Sequence, residues 1–447
     1  MIIHAIETAD RKSIEEQQLE GLRATLSRVF NNIPFYREAM EEKGFHPGQF
    51  QDFSDIKKLP FTEKKDLRNH YPFGLLAAER KDLLRIHASS GTTGKPTIIG
   101  YTSKDIESWA EIVSRAIAAA GGSPKDVLHN AYGYGLFTGG LGLHHGSEKL
   151  GIAVIPASAG NTERQITLIE DLKPDILCAT PSYALNIAEK MLEMGKNPRA
   201  TSLKYGILGA EPWSEEMRNK IENILNIKAC DIYGLSEVMG PGVAAECHEA
   251  QDGLHIAEDH FYAEVIDPVT LNNVADGDDG ELVFTSLQKE AFPIIRYRTG
   301  DIASITREPC KCGRTTMRMS RVKGRIDDML IIRGVNVYPS EIEHCLMQFK
   351  QSSPYYQLVI EPNGSRQDVI LYAEITEETY LEMKGNLNCT AAEDLTEAIQ
   401  VRLKNSCLVN MEVKILSPGT IPRSEGKAVR IVDLRNKELI SQQQQLQ

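Results

Sequence analysis

Five short segments of this 447-residue chain carry residue types and spacings suited to a phosphorylated ligand. The first is His87-Ala-Ser-Ser-Gly-Thr-Thr-Gly-Lys-Pro-Thr97, which follows the apolar run DLLRIHA. Glycines let backbone N–H groups approach phosphate oxygens, hydroxyls add donors and a lysine adds charge. Ser89, Ser90, Gly91, Thr92, Thr93, Gly94 and Lys95 are therefore candidate phosphate contacts. The segment is not a P-loop. Ser89 stands where that loop needs its first glycine, and Pro96 where Ser or Thr must follow the lysine. The plainer alternative is a surface loop.

The second segment is Tyr233-Gly-Leu-Ser-Glu237, at the end of ACDIYG. A tyrosine ring can stack on a purine. A carboxylate four residues later can hold Mg²⁺, which prefers one or two carboxylates together with phosphate oxygens. A capped helix start would equally explain Ser236. The third is Arg296-Tyr-Arg-Thr-Gly-Asp301, where a carboxylate after a tight turn suits ribose hydroxyls or a surface ion pair. The fourth is Gly324-Arg-Ile-Asp-Asp-Met-Leu-Ile-Ile-Arg-Gly334. Arg325 can reach a ribose or phosphate, and Asp327 is a candidate hinge, since hinges need only a few residues that absorb backbone rotation. The fifth is Pro422-Arg-Ser-Glu-Gly-Lys427, whose lysine would be an ordinary solvated one without the other four.

A separate constellation suits a metal. Cys310-Lys-Cys312 is a tight pair, and Cys247 and His255 lie upstream. Together they would form a Cys₃His tetrahedral zinc site with no open position, hence structural. His248 and His260 compete as ligands, and reduced cysteines without metal are the alternative. Cys178, Cys230, Cys345, Cys389 and Cys407 read as buried small hydrophobes.

The elements that must position these residues can be read from periodicity. Residues 14–45 suggest a helix, with Leu19, Leu22, Leu26 and Val29 near a 3.6-residue period. From about 85 to 320, short apolar runs alternate with helical stretches. GIAVIPA, PDILCATP and YGILGAEP read as buried strands; Ser158–Leu172, Pro181–Leu192 and Ser214–Ile224 read as helices. That alternation predicts a mainly parallel α/β sheet with ligands beyond its strands' carboxyl ends. FYAEVIDP, GELVFTSL and RYRTGDIASI predict a β-rich part. A hairpin, a helix and further strands then predict a small α+β module. The expected division is a large part over 1–325, helical over 1–80, and a small domain over 326–447.

The net charge of −12 disfavours nucleic acid as a partner. The N-terminus has no secretory pattern, and no run approaches the ~18 apolar residues of a membrane span. A cytoplasmic chain with reduced thiols is expected. The C-terminal SQQQQLQ is low-complexity.

In this order and spacing, the five segments resemble the signature of the acyl-adenylate-forming superfamily of acyl-CoA synthetases, adenylation domains and luciferases. More narrowly, GYGLFTGGLGLHHG, YGLSEVMGPGVAAEC, EDHFYAEVIDP, FPIIRYRTGD and GRIDDMLIIRGVNVYPSEIE resemble the phenylacetate–CoA ligases. The resemblance implies an AMP-forming ligase using ATP, Mg²⁺ and coenzyme A on a small aromatic acid, working as a homodimer. It implies that Ser89 to Lys95 cover the ATP phosphates. Gly209, Ala210, Glu211 and Pro212 would lie against adenine and ribose, with Asp231, Tyr233 and Gly234 in the same nucleotide site. Glu237 would bind Mg²⁺, Asp301 and Arg325 would hold the ribose, and Lys427 would meet the carboxylate and α-phosphate. Asp327 would be the hinge, and Arg333 and Gly334 would line a pantetheine tunnel. Tyr132, Tyr134, Phe137 and Gly139 would form an aromatic slot for the acid, unless some of these rings are core. Rival readings are delivery to a carrier-protein thiol, a catalytically dead nucleotide-binding regulator, and an NTPase of the P-loop kind.

Overall fold

The computed structural model describes residues 1–89, 96–332, 335–363, 366–424 and 427–434. The expected phosphate contacts Ser90 to Lys95, and the tunnel residues Arg333 and Gly334, lie outside the described residues.

The expected N-terminal helix is two helices, Arg11–Asn32 and Pro34–Glu42. Asp10 caps the first by accepting from the Ser13 N–H at 2.8 Å. The break is set by Pro34, which disfavours helical geometry at Ile33 and has no N–H, and so opens the second helix at its first position. Ile14, Leu22, Leu26 and Val29 face inward and are fully buried, whereas Leu19 is only partly so.

A nine-stranded sheet forms the centre. Five parallel strands, Lys228–Leu235, Tyr205–Gly209, Ile176–Ala179, Val127–Asn130 and Ala153–Ile155, make one side of it. Helices Thr162–Leu172, Pro181–Glu193 and Glu215–Leu225 connect them, close to the expected spans. The other side is antiparallel: Gly240–Glu246, Leu254–Ile256, Arg318–Met319 and Ile305–Thr306. The glycine-threonine segment does not follow a strand of this sheet. Its flanks are an antiparallel hairpin, Arg85–Ser89 against Thr97–Tyr101, with Ser89 opposite Thr97. The β-rich part is a four-stranded antiparallel sheet of Phe261–Ile266, Gly280–Ser286, Tyr297–Ala303 and Gly324–Arg325.

After Asp328 come the hairpin Leu330–Ile332/Val335–Val337 and helix Pro339–Met347. A sheet ordered Glu412–Leu416, Arg366–Ile375, Ser352–Asn363, Ile431–Asp433 follows, with helix Thr390–Cys407 against it. Its core of Ile342, Leu346, Leu358, Leu371, Ile399 and Leu403 is separate from the main one. Burying each such side chain contributes about 1.5–3 kcal/mol. Among the described residues no helix is long and apolar enough to cross a membrane.

Candidate functional site

The carboxyl ends of strands Tyr205–Gly209 and Lys228–Leu235 bring Gly209 and Tyr233 side by side. Only glycine fits at 209, because a Cβ there would run into the Ile232 carbonyl. The next residue, Ala210, adopts φ +70°, a strained conformation of the kind that clusters at ligand sites. Gly234 likewise has no room for a side chain beside the Gly240 carbonyl.

Glu211, expected against the nucleotide, accepts hydrogen bonds on both carboxylate oxygens. One carboxylate oxygen accepts from the Ser182 N–H at 2.7 Å and from its hydroxyl. The other accepts from the backbone N–H of Ala428 at 2.9 Å, 217 positions away. The residue after Lys427 is thereby tied to the end of the parallel sheet.

Asp301 is buried on strand Tyr297–Ala303. The Tyr233 hydroxyl donates to one of its oxygens at 2.6 Å, and Arg325 donates to the other at 2.7 Å. Arg325 also donates to the Thr299 carbonyl at 3.2 Å and to Asp327 at 2.9 Å. Burial pushes the Asp301 carboxyl above its ordinary value, with Arg325 and Tyr233 opposing. For Arg325, burial works downward, but Asp301 and Asp327 outweigh it and the guanidinium is held well above its usual range. A carboxylate offers about four acceptor positions, so Asp301 retains capacity for two hydroxyl donors.

Lys427 lies on a loop and is exposed. Burial, then the charge of Arg325, lowers its pKa; Glu211, Asp301 and Glu237 act in the opposite direction. Those four side chains are thus its electrostatic neighbours. Its loop is anchored from below by Glu374, which is fully buried. Glu374 accepts from Gly419 N at 3.2 Å, Ile421 N, and both terminal nitrogens of Arg423 at 2.9 and 2.8 Å. The Arg423 guanidinium stacks on Tyr355, whose hydroxyl donates to Glu189 at 2.7 Å.

Glu237 sits on a turn and is 6% exposed. Among the described residues no side chain donates a hydrogen bond to its carboxylate. The turn is braced throughout: Lys289 donates to the Val238 carbonyl at 3.0 Å, Tyr101 to Met239 at 2.6 Å and Trp109 to Pro241 at 3.0 Å. The Ser236 and Thr138 hydroxyls meet at 3.0 Å. Lys289 is buried under the Tyr101 ring, and burial lowers its pKa to about 8. Neither Lys289 nor Glu374 stands out in the sequence; LQKEAF and YAEIT carry no spacing signal.

Asp231 is half-buried, and its backbone joins a buried ion pair. Its N–H donates to Glu246, which pairs with Arg218 at 2.6 Å. Burial, then the Glu246 charge, pushes its carboxyl up to about 8. In the proposed acid slot, Tyr132 belongs to the main core at 5% exposure. Tyr134 is half-buried, accepts from Asn130 at 2.9 Å and meets His144 at 3.2 Å. Phe137 is half-exposed and lies over Gly139, where a Cβ would collide with its ring.

Cys247, His255, Cys310 and Cys312 converge, their ligand atoms all within 4.8 Å of one another. The competing histidines are engaged elsewhere, His248 with the Ala119 carbonyl at 3.1 Å and His260 with Asp259. Of the remaining thiols, Cys178, Cys230 and Cys345 are buried as expected, while Cys389 and Cys407 are only half-buried.

The profile described as AMP-binding enzyme matches residues 34–288, and that of the AMP-binding enzyme C-terminal domain matches 334–435. A phenylacetate-coenzyme A ligase of Escherichia coli is 49% identical, covering 96% of this chain and 97% of its own. One from Thermus thermophilus is 47% identical over 96% and 98%. Among solved structures, a 2-hydroxyisobutyryl-CoA ligase in the postadenylation state with 2-HIB-AMP is 29% identical, with TM-score 0.90 and coverage of 99% and 94%. The same ligase in the thioesterification state, with 2-HIB-AMP and CoA, gives 0.70 over 97% and 94%. The C-terminal part of this chain therefore sits on the remainder much as in the former state. Matched along nearly its whole length, the chain belongs to the AMP-binding enzymes and, within them, to the phenylacetate-coenzyme A ligase family.

Proposed function

We propose that this enzyme joins phenylacetate to coenzyme A in two steps, through phenylacetyl-AMP, with release of pyrophosphate and then AMP. The observation that carries this reading is the hydrogen-bonded Tyr233–Asp301–Arg325 cluster, with Ala428, the residue after Lys427, tied to Glu211. Together with Lys427 and Glu237 it supplies a cation for a transferring phosphoryl group, a carboxylate for a ribose and an acid that receives no side-chain hydrogen bond among the described residues.

In the first step the substrate carboxylate attacks the α-phosphorus and pyrophosphate leaves. Negative charge builds on the α-phosphate oxygens, where a preorganised ammonium lowers the barrier. Lys427 is positioned for that role by Glu374 and Glu211. Asp301, oriented by Tyr233 and Arg325, accepts the ribose hydroxyls, and Tyr233 offers its ring to adenine. Glu237 fits Mg²⁺, being a nearly buried carboxylate without a hydrogen-bond donor among the described residues; the ion would neutralise the leaving phosphates.

In the second step the 326–447 domain turns about Asp327 and withdraws Lys427. The thiolate of coenzyme A attacks the acyl carbon and AMP departs. Tyr134, Phe137 and Gly139 border the acid, with Tyr132 as a buried wall. A homodimer is implied by the resemblance, and sedimentation of the purified enzyme measures it.

The test is pyrophosphate release across arylacetic, benzoic and aliphatic acids, with and without coenzyme A. Phenylacetate should lead, with pyrophosphate formed and the thioester appearing only with coenzyme A. Absence of AMP from every acid would reject the proposal.

A further inference from the structure

We propose that Cys247, His255, Cys310 and Cys312 bind one zinc ion that takes no part in the reaction and instead fastens the antiparallel edge of the large sheet. The four come from three separate segments. Cys247 follows strand Gly240–Glu246, His255 lies on Leu254–Ile256, and the cysteine pair sits in the turn between Ile305–Thr306 and Arg318–Met319. Zn–S bonds of about 2.3 Å and Zn–N bonds of about 2.0–2.1 Å put sulfurs about 3.8 Å apart, and sulfur and nitrogen about 3.5 Å apart, at tetrahedral corners. Cys247 Sγ and Cys310 Sγ are separated by 3.7 Å, and Cys312 Sγ and His255 Nε2 by 3.4 Å. The sulfur separation is far outside a disulfide's bond length of about 2.05 Å.

The surroundings fit a metal as well as the corners do. His255 Nδ1 lies 3.1 Å from the Thr316 hydroxyl, which can accept from Nδ1–H and so leave Nε2 free to bind a metal. Three thiolates on Zn²⁺ leave one negative charge. The Arg314 guanidinium, buried beside Cys312, balances it and also binds Glu7 at 2.6 Å and the Met1 carbonyl at 2.7 Å. Soft sulfur with one imidazole favours zinc over magnesium or calcium, and four protein ligands leave no position for substrate. The ion would hold the far end of the strand whose near end follows the Glu237 turn, and through Arg314 it would hold the N-terminal segment.

The test is metal analysis of the full-length, untagged enzyme purified without added metal. Close to one zinc per chain is expected; less than about a tenth, or iron in its place, overturns the proposal. Growth with cobalt should give the visible bands of a tetrahedral, sulfur-rich site, and octahedral cobalt would reject the ligand set. Cys312→Ala and His255→Ala should each lose the metal. Should both fail to fold, the wild-type analysis still decides. A Cys247–Cys310 disulfide found by mass spectrometry of native protein would also rule the site out.

Discussion

Replacing Glu211 by Gln should slow adenylation about tenfold while leaving thioester formation nearly untouched. The wild-type carboxylate accepts on both oxygens, from Ser182 on one side and from Ala428 on the other. A carboxamide has one accepting oxygen and one donating nitrogen. Whichever way Gln is turned, an N–H of the protein then faces an NH₂ group. Hydrogen bonds to charged acceptors contribute about 1.5–3 kcal/mol. Glu211 is half-exposed, so the lower end applies. About 1.5 kcal/mol corresponds to roughly a tenfold change in rate. If the Ala428 contact breaks when Lys427 is withdrawn, as the two-step proposal requires, the loss falls on the first half-reaction. The assay compares ATP–pyrophosphate exchange with thioester formation from supplied phenylacetyl-AMP, each with kcat and KM separated. An equal fall in both half-reactions, or a change confined to the KM for ATP, would refute the reasoning. The second outcome would return Glu211 to the nucleotide.

Lys427→Ala should slow pyrophosphate release by roughly 10²–10³-fold and spare thioester formation from the supplied adenylate; parallel losses in the two assays would count against a withdrawn lysine. Asp301→Asn removes the charge that pairs with Arg325 and leaves one accepting oxygen where the carboxylate has two, so the KM for ATP should rise roughly tenfold with the KM for acid little changed; steady-state kinetics would show otherwise if the ribose binds elsewhere. Lys289 has its pKa lowered to about 8 from 10.5 by burial, so between those values the unfolded chain binds more protons and wild-type stability rises with pH. The burial penalty on the charged form is complete below pH 8 and fades above it. Denaturant unfolding at pH 7 and 9.5 should therefore show the wild type gaining about 2 kcal/mol relative to Lys289→Met; a pH-independent difference would mean the lysine is not buried as charged.

Residue types and local spacing determined a good deal by themselves. The parallel strands and their helices announced themselves because burial on both faces selects apolar runs bounded by Gly and Pro, as in PDILCATP and YGILGAEP. The break at Pro34 is passed over when 14–45 is read as one helix, although a proline acts on its immediate neighbours. The pairing of Cys310 and Cys312 with the distant Cys247 and His255 could be suspected, because thiols and imidazole have few other reasons to gather. Tertiary structure alone decided where side chains ended up when both neighbours and distant segments competed for them. Glu211 sits within a nucleotide-like segment but is claimed by Ser182 and Ala428, and Tyr132 is claimed by the core. Lys289 and Glu374 matter only through backbone carbonyls and N–H groups that the fold brings to them. Hydrogen bonds spanning tens to hundreds of residues leave no periodic trace in a chain, which is why those contacts had to be seen in three dimensions.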